Sequence, residues 1–75
     1  MYTIDLHGLF VDEAMTFLSE RIEKVKKTGK NLTVITGAGL HSKNDPLIKT
    51  QVISYLKGKG YKYDEIKNGE LEVKF

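Results

Sequence analysis

The sequence predicts an α/β fold, a two-layer βαβαββ sandwich whose four-stranded mixed sheet carries both helices on one face. Three observations predict it. Apolar and polar residues alternate at both ends of the chain, two apolar stripes at helical spacing lie between them, and Asn68-Gly69 marks a tight turn near the C-terminus.

Taken in order, residues 2–7 open the chain as a strand. Tyr2, Ile4 and Leu6 point one way and Thr3, Asp5 and His7 the other, and Gly8 punctuates the end. Val11, Ala14, Met15, Leu18, Ile22 and Val25 then recur at offsets of three and four, the apolar stripe of a helix. Asp12 and Glu13 fall in its first turn and Lys24, Lys26 and Lys27 in its last, both placements suiting the helix dipole. Gly29 is the expected C′ residue. Leu32–Thr36 reads as the second strand, followed by a polar loop over 37–46. Asp45-Pro46 is expected to open the second helix, Asp45 as N-cap and Pro46 at the first helical position. Ile48, Val52, Tyr55 and Leu56 form its buried stripe, and Gly58 or Gly60 ends it. Residues 61–66 and 70–75 are expected to pair as a hairpin around Asn68-Gly69.

Two crossover helices require right-handed parallel units, and the terminal hairpin adds an antiparallel strand. With only two helices, and polar residues alternating in three strands, one sheet face is expected to stay open to solvent. The aromatic residues Tyr2, Phe10, Phe17, Tyr55, Tyr61, Tyr63 and Phe75 are assigned mostly to core faces. Phe10, next to the first glycine turn, is the candidate for stacking on a base.

Composition narrows the class. Seventy-five residues, 40% hydrophobic and 29% charged, suit one small domain over 1–75, stabilised by its core alone because cysteine is absent. No apolar run approaches the roughly 18 residues of a membrane span, and no signal-peptide pattern opens the chain, so a cytoplasmic protein with no membrane partner is expected. The net charge of +2 permits a polyanionic partner without demanding one. Eleven of the twelve basic residues are lysines, Arg21 being the exception, so phosphate contacts would come from point charges and backbone amides.

In parallel α/β units chemistry collects at the carboxyl ends of the strands. Two segments fall there, Asp5-Leu6-His7-Gly8 and Thr36-Gly37-Ala38-Gly39, and neighbouring strands would bring them together. Asp5 and His7 share a strand face, so the carboxylate can orient the imidazole or sit beside it at a phosphate. The residues around Gly37 and Gly39 can present amides to an anion as a nest does, or simply turn the chain out of a strand. Both histidines, His7 and His41, lie in or beside these segments. Only Asp5 reads as an inward carboxylate there, Asp12, Glu13 and Asp45 being assigned as helix-start charges. No metal site and no cofactor is therefore expected. The lysines concentrate where the helices end, at the far edge, where dipole complement and solubility explain them.

Thr3-Ile4-Asp5-Leu6-His7-Gly8-Leu9 followed by Asp12-Glu13-Ala14 resembles the first signature of the Smr (small MutS-related) domain family. Val34-Ile35-Thr36-Gly37-Ala38-Gly39-Leu40-His41-Ser42 is similar to its second, in the eukaryotic-like Thr-Gly-x-Gly form, and 63–69 fits as well. The resemblance covers essentially the whole chain. It implies a fold like the C-terminal domain of bacterial translation initiation factor three. It also implies nucleic-acid binding and, in several members, endonuclease action on DNA or on RNA in ribosome-linked quality control. Asp5 and His7 take the place of the family's catalytic Asp-x-His. Gly37, Ala38 and Gly39, with His41 and Lys43, become the candidate phosphate-binding residues. Ala38 departs from the basic residue that many members hold there.

An endonuclease acting on RNA more readily than DNA is therefore expected, with His7 moving a proton, Asp5 orienting it, and the Gly37–Gly39 amides and Lys43 facing the phosphate. The alternative is a non-catalytic RNA- or ribosome-binding module, which Ala38 favours. A small-molecule phosphate enzyme is disfavoured, since so small a domain offers no deep pocket.

Overall fold

The computed structural model describes residues 2–39 and 43–75. Among them the elements run β1 (Tyr2–Asp5), α1 (Val11–Val25), a single 3-10 turn at Lys26–Thr28, β2 (Leu32–Ile35), α2 (Asp45–Lys59), β3 (Lys62–Lys67) and β4 (Glu70–Lys74). The four strands form one mixed sheet in the order β1-β2-β4-β3. β1 lies parallel to β2, and β4 pairs antiparallel with both β2 and β3.

Each boundary has a local cause. The side chain of Glu13 accepts the N–H of Phe10 at 3.2 Å, which fixes the start of α1. Phenylalanine offers no acceptor in return, so only half of a capping box forms. The 3-10 turn extends α1 to Gly29, where the chain reverses. The opening of α2 differs from expectation by one residue: Asn44 is the N-cap, Asp45 the first helical residue and Pro46 the second. The reason is that the Asp45 carboxylate turns away from its own helix to accept the N–H of Gly8 at 3.0 Å. Gly58 lies inside α2, and Gly60 ends it.

The core occupies one face of the sheet. Ile4, Leu6, Leu32, Val34, Leu71 and Val73 meet Ala14, Leu18, Ile22 and Val25 of α1 and Ile48, Val52 and Leu56 of α2. Both helices thus cover the same face. Thr3, Thr33, Glu72 and Asp64 stand in register on the other. β4 is central because Leu71 and Val73 are fully buried; β3, largely exposed and broken by a bulge between Glu65 and Lys67, is an edge. β1 is the other edge, and Arg21 Nη1 donates to the Thr3 carbonyl there at 3.1 Å.

The aromatic assignment needs correction. Tyr55, Tyr61, Tyr63 and Phe75 pack partly buried against the core, with Tyr61 and Phe75 edge to face at 5.2 Å. Tyr2, Phe10 and Phe17 are exposed instead. Phe10 sits outside the helical stripe as a cap, and Phe17 occupies the flank of α1 beside β1, at the sheet edge. Among the described residues no helix is long and apolar enough to cross a membrane.

Candidate functional site

Parallel register pairs Asp5 with Ile35, so β1 and β2 end level and their following turns leave the sheet side by side. The N–H of Leu6 still reaches the Ile35 carbonyl at 2.7 Å, which carries the pairing one residue past β1 before the chain turns at His7. Ile35 also faces Glu70 at the start of β4, which brings the Asn68-Gly69 turn to the same edge.

The two motifs touch. A methyl group added at Gly37 would stand 2.9 Å from His7 Cβ and overlap the Asp45 carboxylate. Gly37 also adopts φ +91°, where an L side chain is strained. Gly69 is packed in the same way, since a Cβ there would lie 2.5 Å from the Gly37 carbonyl carbon. Three turns and the first residue of α2 therefore converge on Gly37. Only a residue without a side chain fits at the centre.

Within that junction Asp5 and His7 form a close pair. His7 Nδ1 lies 2.5 Å from Asp5 Oδ1, and the same oxygen accepts the His7 backbone N–H at 3.1 Å. Both side chains remain accessible, with relative exposures of 60% for His7 and 50% for Asp5. Holding a proton on Nδ1 leaves Nε2 as the nitrogen that meets solvent. The hydrogen bond to Asp5 raises the His7 pKa above its ordinary 6.5, followed by the charge of Asp5; slight desolvation opposes them, and the charge of Asp45 adds to the rise. The imidazole thus stays protonated to higher pH than a free one.

The glycine turn is less open than expected. The amides of Thr36 and Gly37 donate to the Gly69 carbonyl at 2.8 and 3.1 Å, so Gly37 N–H is committed to the hairpin turn. The amides of Ala38 and Gly39 donate to no described backbone carbonyl, and both residues are exposed. An anion-binding role therefore narrows from the whole Gly37–Gly39 turn to Ala38 and Gly39. Lys43 is exposed, and no hydrogen bond or ion pair joins it to Asp5 or His7. His41 lies outside the described residues.

Asp45 belongs to the site, although its sequence position explains it equally well as a helix-start charge. It is 4% exposed, ties α2 to the Gly8 turn and places a second carboxylate near His7. Its long-range bond spans thirty-seven residues, and nothing local announces it. Thr36 is fully buried beneath the motif, and its hydroxyl has no hydrogen-bond partner among the described residues. No group of three or more His, Cys, Asp or Glu among the described residues is arranged to hold a metal ion. The lysines of the far end remain there: Lys26, Lys27, Lys62 and Lys74 border a groove of about 710 Å³ by Tyr61 and Phe75, across the sheet from Asp5.

A family model for the Smr domain matches residues 4–71. Human NEDD4-binding protein 2 is 44% identical over 77 residues, an alignment covering 93% of this chain and 4% of that protein. An Smr domain-containing protein of Schizosaccharomyces pombe is 37% identical over 73 residues, covering 93% of this chain and 35% of that protein. The endonuclease NBR9 of Saccharomyces cerevisiae is 50% identical over 42 residues, covering 55% and 18%. The chain spans well under half the length of each of these relatives. The crystal structure of the human small-MutS related domain superposes with a TM-score of 0.80 at 42% identity, covering 96% of this chain and 98% of that one. The solution structure of the SMR domain of NEDD4-binding protein 2 gives a TM-score of 0.82 at 42% identity, covering 99% and 84%.

Proposed function

The chain belongs to the Smr domain family, and from that premise we propose that it binds nucleic acid and cleaves an RNA phosphodiester at the Asp5–His7 pair. The observation that carries this reading is the exposed pair itself, with Nδ1 held at 2.5 Å and His7 Cβ close against Gly37. In the proposed step His7 Nε2 takes the proton of a 2′-hydroxyl, and that oxygen attacks the adjacent phosphorus. The 5′-oxygen leaves and takes up a proton from solvent, giving a 2′,3′-cyclic phosphate and a 5′-hydroxyl end. Asp5 stabilises the imidazolium that forms. Ala38 and Gly39 donate amides to the non-bridging oxygens, where negative charge develops, with Lys43 and His41 of the same loop as further phosphate contacts. An internal 2′-nucleophile favours RNA over DNA, which lacks that hydroxyl. The likeness to a protein named an endonuclease supports cleavage.

A second reading is a non-catalytic RNA- or ribosome-binding module. Ala38 favours it, because it puts no cation between the two glycines of the turn, and Asp5, Asp12, Glu13 and Asp45 outnumber Lys43 and Lys49 at this edge. Incubating the purified chain with end-labelled RNA and with DNA of the same sequence, with and without EDTA, separates the two. The proposal expects cleavage of RNA that is lost in His7→Ala and in Asp5→Asn. Undiminished cleavage by His7→Ala overturns the mechanism. Salt-sensitive binding without product, unaltered by either substitution, establishes the binding module instead.

A further inference from the structure

We propose that the seam between β1 and α1 is a subsite for the single-stranded nucleic acid flanking the reacting phosphate; this rests on the nucleic-acid reading above and extends it to the path of the substrate. A groove of about 400 Å³ opens beside Asp5 along the outer edge of β1, walled on the helix side by Phe17, Arg21 and Lys24. A second hollow of about 270 Å³ continues from the same Arg21 and Lys24 to Tyr2, at the start of the strand. Sharing Arg21 and Lys24, the two form one track along β1 from Asp5 to Tyr2.

Its lining has the chemistry of single-strand recognition. Phe17 and Tyr2 keep 50% and 38% of their surface exposed, though the core below is closed and has no use for them. Phe10, 68% exposed, stands at the N-cap of α1. Exposed rings beside cations suit unstacked bases and their phosphates. Lys24 has no ion-pair partner among the described residues. Arg21 is held in place by donating to the Thr3 carbonyl, with guanidinium N–H groups to spare. Glu20 is the one carboxylate on the helix wall of the groove.

A β-strand from a protein partner is the competing occupant of any sheet edge. Here the Thr3 carbonyl that such a strand would need is already taken by Arg21, which favours the nucleic acid.

The test is fluorescence anisotropy of the intact chain with a single-stranded RNA of about ten nucleotides, within the span such sites cover, and with its DNA counterpart and duplex. Phe17→Ala is expected to weaken single-strand binding about tenfold by removing a stacking surface, and Phe17→Trp to restore it. Lys24→Ala is expected to lower the slope of log affinity against log salt by about 0.7, one phosphate contact on a single strand. Lys62→Ala, at the far end of the opposite sheet edge, serves as the control and is expected to change neither. RNA and DNA strands binding alike identify the shared backbone and bases as the ligand, whereas a preference for RNA identifies a 2′-hydroxyl contact. The subsite is overturned if Phe17→Ala and Lys24→Ala bind as the unaltered chain does, if Lys62→Ala weakens binding equally, or if duplex binds as tightly as single strand. Because the readout is binding, loss of cleavage in His7→Ala alongside unchanged binding by Phe17→Ala removes the subsite and leaves the proposed reaction standing. Tight flank binding without any cleavage does the reverse.

Discussion

His7 gives one ring nitrogen to Asp5 and leaves the other to solvent, and that division sets its titration. In Asp5→Asn the neutral amide no longer favours the imidazolium, so the His7 pKa is expected to fall back toward 6.5. Following the ring proton shifts by NMR against pH checks this; an unmoved midpoint would show that Asp5 is not the cause. The sign carries into stability. A folded-state pKa raised above the unfolded one contributes stability that is present in full below the unfolded value near 6.5 and is lost as pH rises through the folded value. The stability gap between the native chain and Asp5→Asn should therefore be wider near pH 6 than near pH 9, and small at both because the pair is exposed. Thr36 poses the opposite case, a buried hydroxyl with no partner among the described residues. Thr36→Val keeps the shape and removes the unmet polar group, so thermal denaturation should show an unchanged or higher midpoint.

At the level of elements, the site is held by turns packed against one another. Gly37 carries the contact between the β1 turn, α2 and the β3–β4 turn, and any side chain there meets the Asp45 carboxylate and His7 Cβ. Gly37→Ala is expected to cost at least about 2 kcal/mol, combining a strained positive φ with the collision, as read from urea denaturation. Asp45→Ala removes the acceptor of the Gly8 N–H, and because Gly8 is exposed and water can replace the carboxylate the expected cost is about 1 kcal/mol. It should also broaden or shift the amide signals of the Gly8 turn, while leaving α1 as it was. A spectrum changed uniformly across the chain would argue against this local role. These turns explain why the alternation of residues 2–7 outruns the observed strand. Leu6 continues the buried face, whereas His7 leaves the ladder to meet Asp5 and Gly37.

For the molecule as a whole, seventy-five residues at about 0.05–0.15 kcal/mol each give a stability of roughly 4–11 kcal/mol. Leu18 is fully buried where α1 meets the rest of the core, and Leu18→Ala is expected to cost about 2–5 kcal/mol. Such a change removes a large share of the total, so the variant should melt far below the native chain or fail to fold. Charge is divided along the same body. The motif edge sets Asp5, Asp12, Glu13 and Asp45 against Lys43 and Lys49, while Lys26, Lys27, Lys62 and Lys74 border a groove at the far end. On the proposed reading the substrate takes its cationic contacts along β1 from Arg21 and Lys24, and not from the far-end lysines.

By itself the sequence determined the elements, their order and the aliphatic stripes they bury, because side-chain periodicity, helix-end residues and turn glycines act over a few neighbours. It also marked Asp5, His7 and the Gly37 turn, since strand ends in a parallel unit share an edge. Tertiary structure alone decided that β4 enters between β2 and β3, that Asp45 serves the Gly8 turn and not its own helix, and that Gly37 gives its amide to Gly69. It likewise decided that Phe17 and Tyr2 lie open along a groove while their neighbours are buried. Those outcomes join residues tens of positions apart or depend on which neighbours cover them. Local patterning carries no information about either.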